Sequence, residues 1–311
     1  MAIPLITGIH HVTALASSPR GNLDFYTRVL GMRFIKRTVN HDDPMTYHLY
    51  YADGVGSPGS VLTHFPHPHA ARASHGTGEI RRTVLAVPVG SMGYWIDRLE
   101  GLGITAISSV CFDRPRLEFT DPDGMELAIA EDDVAEVGEP WEGHGVPDSH
   151  AVRTVDTTTL RVPDVRATGQ FLIDALGFVA GNREDDRQLF TLHDGGPGQR
   201  LELIGDRQAT MYAMGAGTVH HVAWRVPDEQ AQKIVSDRLF EANTPTTPII
   251  DRLYFRSIYF RIPGRVIFEV ATDGPGFDAD EALEDFGRSL KLPPQHEPRR
   301  NEIEAHLEPL D

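Results

Sequence analysis

The chain has 311 residues, 40% of them hydrophobic, and carries a formal net charge of −16 with only 29 Lys and Arg. A chain of this length can bury a sizeable core and, on ordinary domain sizes, divides in two; the shortage of cations argues against nucleic acid as a partner, because phosphate binding rests on clustered positive charge. Cys111 is the only cysteine, which excludes an intrachain disulfide, a thiolate-held structural zinc and an all-thiolate iron–sulfur cluster.

The opening stretch MAIPLITGIHH has no basic segment followed by a long apolar run, and nowhere do about 18 apolar residues stand together, so no membrane partner is expected and a cytoplasmic location is predicted. The first predicted strand is GIHHVTA, residues 8–14. A helix follows within NLDFYTRVLGMRF, where Leu23, Phe25, Tyr26, Val29 and Leu30 fall at helical spacing and Gly31 is placed as a stop. Two short β-rich segments, MTYHLYYAD and GSVLTHF, complete the unit. The same plan returns over 82–106 with VCFDRPRLEFTDPDGMELAIAE behind it, over 157–182 with RQLFTLHDGGPGQRLELIG, and over 220–243 with SIYFRIPGRVIFEVATD. Between the second and third copies, residues 131–150 exchange periodicity for charge, Gly and Pro.

These repeats predict an α+β protein of four tandem βαβββ modules in two mixed-sheet domains. Residues 1–135 form the first domain, 136–150 a linker, 151–275 the second domain and 276–311 a capping tail. One such unit cannot cover its own sheet, so the units must pair, and the concave surface between paired sheets is the natural place for a small-molecule site.

The doubled histidines of GIHHVTA recur in TVHHVAW, residues 218–224. Neighbouring side chains on a strand point to opposite faces, so one histidine from each pair, His11 and His221, is the candidate for a shared site. Glu269 in GRVIFEV is a carboxylate in an otherwise apolar strand, and an isolated buried carboxylate is costly unless paired or metal-bound. Two histidines and one carboxylate with open positions suit non-haem Fe(II) and oxygen chemistry. The loop histidines His67, His69 and His75 have no regular spacing and read as solvated. Asp42 and Asp43 read as turn formers beside His48, and DPDGMELA, residues 121–128, reads as a hairpin turn.

With its tandem βαβββ units and this trio, the chain resembles the vicinal oxygen chelate superfamily, and within it the ring-cleaving dioxygenases that act on hydroquinones. The likeness runs over nearly the whole chain, through FYTRVLGMRFIKRTVN, EPWEGHGVP, HHVAW, DRLYFRSIYFRIPGRVIFEVATDGPGF and LPPQHEPRR. The resemblance implies Fe(II), with Mn(II) or Zn(II) as substitutes in a purified sample, on His11, His221 and Glu269. It implies His10, Thr13, His220, Arg252 and Tyr259 around it, with His10 or His220 moving protons and Arg252 and Tyr259 holding an oxygen anion. The implied partners are a small aromatic diol and O2, and self-association into a homo-oligomer is compatible with it. Two rivals remain, a glyoxalase-type isomerase, commonly with four protein ligands, and a non-enzymatic binder of aromatic or electrophilic compounds. Aligning Gly59 with Gly264 sets His64 on Glu269, so His64 is expected beside the metal, as a hydrogen-bonding group first and as a fourth ligand in the alternative.

Overall fold

The computed structural model describes residues 5–310. Module one runs β1 (Gly8–Ala16), α1 (Pro19–Asp24), β2 (Arg33–Val39), β3 (Tyr47–Ala52) and β4 (Val61–Pro66). Module two runs β5 (Glu79–Pro88), α2 (Met92–Gly101), β6 (Ile107–Cys111), β7 (Arg114–Thr120) and β8 (Glu126–Asp132). Module three comprises β9 (Thr154–Val162), α3 (Val165–Leu176), β10 (Val179–Glu184), β11 (Arg187–Thr191) and β12 (Arg200–Gly205). Module four comprises β13 (Val219–Val226), α4 (Glu229–Glu241), β14 (Ile250–Asp251), β15 (Phe255–Arg261) and β16 (Ile267–Pro275). A last helix, α5 (Arg300–His306), lies in the tail. The α+β class and the βαβββ repeat follow the sequence.

Local chemistry explains the helix boundaries. Ser18, Asp164 and Asp228 cap α1, α3 and α4 by accepting from the backbone N–H of Gly21, Ala167 and Ala231. Helix α1 continues as a wider π-helical turn over Phe25–Val29 and stops at Gly31, whose φ of 69° is left-handed. A Cβ at Gly31 would also stand 2.5 Å from Val146 Cγ2, so both backbone and packing require glycine there.

In every module the first strand pairs in parallel with the last, and the other strands add antiparallel. This leaves one edge of each first strand free. The free edges pair antiparallel as β1 with β13 and β5 with β9, so module one joins module four and module two joins module three. The two pairs meet through Val219 and Ile80 in one continuous mixed sheet of 16 strands. Sheet pairing therefore crosses the expected division at 136–150 instead of following it: that segment links the two modules of one pair, and the other pair is made from both ends of the chain. The reason is geometric, since a first strand takes the edge that fits it in space and is indifferent to chain order.

The helices cover one face of the sheet over a core that includes Trp95, Trp224, Phe178, Phe268 and Leu172. The tail is fastened to module one by the buried Lys36, whose Nζ donates to the Phe277 carbonyl and lies 2.8 Å from both Asp280 and Glu281. No helix among the described residues is long and apolar enough to cross a membrane.

Candidate metal centre

Strands β1 and β13 lie side by side, each carrying its doubled histidine. In β1, Ile9 faces Trp224 and His11 faces Ala223, so His10 is an extra residue; in β13, Thr13 faces His221 and Ala14 faces Val219, so His220 is the extra one. These are two β-bulges in matching places, and a bulge re-aims the side chains beside it. The doubled histidines thus depart from strict alternation. His10 Nδ1 lies 2.9 Å from His11 Nδ1, and His220 Nδ1 lies 2.7 Å from His221 Nδ1.

Each of these contacts needs one nitrogen to donate and the other to accept. With the proton on Nδ1 of His11 and of His221, both Nε2 atoms become acceptors, and both turn toward Glu269 Oε2. His221 Nε2 stands 2.8 Å from that oxygen, His11 Nε2 stands 3.3 Å from it, and the two Nε2 atoms are 3.4 Å apart. All three residues are buried. Oε1 of Glu269 accepts from the Ser257 hydroxyl, while Oε2 has no partner apart from the imidazoles.

Three converging lone-pair donors in a dry site repel one another unless a cation lies among them. The separations suit atoms that share one ion at about 2.0–2.2 Å each. The nitrogen and oxygen donor set therefore fits a divalent transition metal, with the bulged histidines orienting the ligand rings from behind. Burial alone would raise the Glu269 carboxyl, but the two imidazoles outweigh it and hold it well below the carboxylate range. Among the described residues no other three His, Cys, Asp or Glu side chains converge in this way.

A cavity of about 930 Å³ opens over the triad, with Thr13 and His220 beside His11 and His221. Leu15, Phe65, Phe255, Phe260 and Ile267 give it apolar walls. Arg252 and Tyr259 also line it: Arg252 Nε donates to the Tyr259 hydroxyl oxygen at 3.2 Å, and the guanidinium sits 5.3 Å from the ring centre. Burial, then the Glu269 charge, raises the Tyr259 phenol, so it stays protonated; because its oxygen accepts from Arg252, its hydrogen is free to donate. Burial would lower Arg252, but Tyr259 and Asp42 more than offset this and raise it. Asp42, read from sequence as a turn former, stands 3.4 Å from Arg252 Nη1.

Burial and the neighbouring His221 push His220 down to about 3, and burial with His11 pushes His10 well below its usual value. The two are not equivalent, because His220 lines the cavity whereas His10 packs against the Phe255 ring with its Nε2 unpartnered.

His64 is the clear correction. Thr13 faces Thr63 across β1 and β4, as Ala223 faces Glu269 across β13 and β16. Thr63, not His64, is the counterpart of Glu269. A slip of one residue sends a strand side chain to the other face. His64 accordingly packs in the core with its ring centre 4.3 Å from that of Tyr26, both nitrogens unpartnered, and burial lowers it to about 3. His64→Phe is expected to leave metal content and substrate affinity unchanged. It should also flatten part of the acid limb of stability. A histidine held neutral in the fold binds its proton only when unfolded, so wild-type stability falls as pH drops from about 6.5 toward about 3, by up to ~1.4 kcal/mol per pH unit for one group. Thermal melts of both proteins across that range, with metal analysis, provide the check.

The loop histidines do not gather: His75 Nδ1 pairs with Glu79 at 2.9 Å, His67 lines the cavity and His69 is exposed. Asp121 caps its hairpin turn, accepting from the N–H of Asp123 and Met125. Sequence reasoning missed His48 and Tyr50 as cavity residues, although their alternation with the buried Leu49 and Tyr51 in YHLYYAD was the available signal.

Comparison with known proteins gives a consistent result. The family profile described as "Glyoxalase/Bleomycin resistance protein/Dioxygenase superfamily" matches residues 8–129 and 154–276. The Bacillus subtilis (strain 168) protein named "Putative ring-cleaving dioxygenase MhqO" is 39% identical, over 98% of this chain and 96% of its own. The "Chlorohydroquinone/hydroquinone 1,2-dioxygenase" of Sphingobium indicum is 31% identical, over 96% of this chain and 95% of its own. A crystal structure titled as a putative dioxygenase from Bacillus subtilis superposes with a TM-score of 0.94 at 38% identity, covering 98% of each chain.

Proposed function

We propose that this chain, which belongs to the Glyoxalase/Bleomycin resistance protein/Dioxygenase superfamily, is a ring-cleaving dioxygenase that opens a hydroquinone or related aromatic diol with O2. Its metal is Fe(II), held by His11, His221 and Glu269, and its cleavage is of the extradiol type. The observation that carries this reading is the convergence of exactly one carboxylate and two imidazoles beneath an apolar-walled cavity, with no fourth ligand among the described residues. Three protein ligands leave room for both a diol and O2, whereas the isomerase alternative would call for a further protein ligand.

Fe(II), held by His11, His221 and Glu269, would supply a Lewis acid for a diol oxygen and a redox-active centre through which electrons of the diol reach O2. The rest of the work falls to the chain. The walls at Leu15, Phe65 and Phe255 keep water from the ring and hold it by burial of its faces. Arg252 and the Tyr259 hydroxyl aim a charged and a neutral donor at an oxygen that gains negative charge. His220, neutral through burial, has its Nδ1 engaged by His221 and therefore presents Nε2 to the cavity as the position for proton transfer.

The test is oxygen uptake by anaerobically Fe(II)-loaded protein across a panel of hydroquinones and catechols, with one O2 expected per ring opened and a hemithioacetal as the rival substrate. Arg252→Ala and Tyr259→Phe are expected to retain iron and lose about 10²- to 10³-fold in kcat, the usual cost of removing one preorganised donor. Iron-loaded protein that leaves every diol intact but isomerises the hemithioacetal would transfer the assignment to the isomerase.

A further inference from the structure

A hydrogen-bond chain runs along the cavity side of module one to Thr13, beside the metal centre. The Tyr50 hydroxyl is 2.8 Å from His48 Nδ1, His48 Nε2 is 2.8 Å from Thr63 Oγ1, and the Thr63 hydroxyl donates to Thr13 Oγ1 at 2.9 Å. Tyr50 is 2% exposed and Thr63 is 0% exposed, so water does not readily replace a missing partner. Thr13, the last member, follows His11 on β1 and faces His221 across the strands.

The chemistry at the first member sets the direction of the whole chain. Burial raises the Tyr50 phenol well above its usual value, so it keeps its proton. Its one hydrogen has no acceptor among the described residues other than His48 Nδ1. Were His48 to carry its proton on Nδ1, the phenol oxygen would have to accept it and the phenol's own hydrogen would be left buried without an acceptor. Nδ1 therefore accepts. Burial, then the neighbouring His41, lowers His48 well below the ordinary histidine range, so the ring is neutral and its single proton stands on Nε2. Nε2 then donates to Thr63, and the hydrogen of Thr63 goes to Thr13 Oγ1. Thr13 accepts in that bond, and its own hydrogen, which has no acceptor among the described residues, is left to donate.

We propose that Tyr50, His48 and Thr63 are positioning residues that make Thr13 an obligate hydrogen-bond donor to the oxygen of a substrate bound at the metal centre. This rests on the ring-cleaving reading of the site. The assignment explains why a histidine and a tyrosine stand on the cavity face of β3, where an apolar pair would cost less to bury. Thr63 bonds to His48 and Thr13 but is not itself part of the cavity wall, so replacing it breaks the relay without removing a wall residue.

The test is a cycle of Thr63→Val and Thr13→Val. Thr63→Val is expected to lower kcat about 10-fold with iron content retained and KM changed far less, and Thr63→Ser to restore most of the loss. The double variant should be no slower than Thr13→Val alone, because Thr63 acts through Thr13. Wild-type turnover in Thr63→Val, or losses that multiply in the double variant, would overturn the proposal. Nitrogen NMR of the Zn(II)-loaded protein reads the same device without turnover. A neutral His48 protonated on Nε2 is expected, and protonation on Nδ1 would overturn the relay whatever the enzyme does. If the tautomer is as expected while the Fe(II) protein opens no diol, the reading of the reaction fails and the hydrogen-bond direction stands.

Discussion

Alanine in place of His11, His221 or Glu269 is expected to give protein that retains no Fe(II) after desalting and has lost ring-opening activity. Removing one of three ligands deletes a bond and breaks the chelate, so affinity should fall by well over the 10- to 100-fold typical of changes to groups that only support a ligand. The three variants should differ without metal. Glu269 is fully buried, and in the metal-free protein its charge is tolerated because an imidazole facing it, at 2.8 or 3.3 Å, can take a proton on Nε2 and donate to it. Deleting a histidine leaves that carboxylate short of a partner, which should lower the melting temperature of the metal-free protein. Glu269→Gln removes the charge itself, so the metal-free melting temperature should hold or rise although metal is no longer bound. Wild type alone should gain stability on adding Fe(II), by about 2.7 kcal/mol at a hundred times Kd. Metal analysis with paired melts decides the matter, and full iron occupancy in all three alanine variants would show that the ligands lie elsewhere.

The second large effect is expected far from the cavity. In the pair formed by modules two and three, Glu202 on β12 faces Thr159 on β9, as Glu269 faces Ala223 in the other pair. No histidine accompanies Glu202. Its partners are the buried Arg116, with Nη1 at 3.1 Å from Oε2 and Nη2 on Oε1, and the Thr159 hydroxyl at 2.9 Å. A fixed guanidinium thus stands against this carboxylate, where the other pair offers a metal-binding arrangement. Arg116→Met should destabilise the protein by about 3–5 kcal/mol, because it leaves an uncompensated charge in the core. Adding Glu202→Leu should recover most of that loss, since replacing both members of a buried pair by apolar groups is often neutral. Denaturant unfolding of the single and double variants measures both numbers. A single variant as stable as wild type would mean that Glu202 is protonated or finds another partner.

The repeat and the candidate metal ligands could be read from the sequence alone. Strand alternation, helix spacing and stop signals are local properties, so four copies of βαβββ could be counted directly. His11, His221 and Glu269 were legible because a doubled histidine was written twice and a carboxylate stood alone in an apolar strand. Tertiary structure decided what depends on partners. Whether β1 pairs with β13 or with β5 is a matter of which free edges fit in space, and nothing in the local spacing encodes it. The bulges at His10 and His220 are single extra residues, visible only against the register of the facing strand. The same blindness to register put His64 where Thr63 stands, because aligning two turns by their glycines is one residue out and one residue is a whole face of the sheet. Alternation set His48 and Tyr50 on the face opposite Leu49, but not which atoms they would bond; the Arg116–Glu202 pair had no sequence signature, because strands 86 residues apart in the chain bring its atoms together.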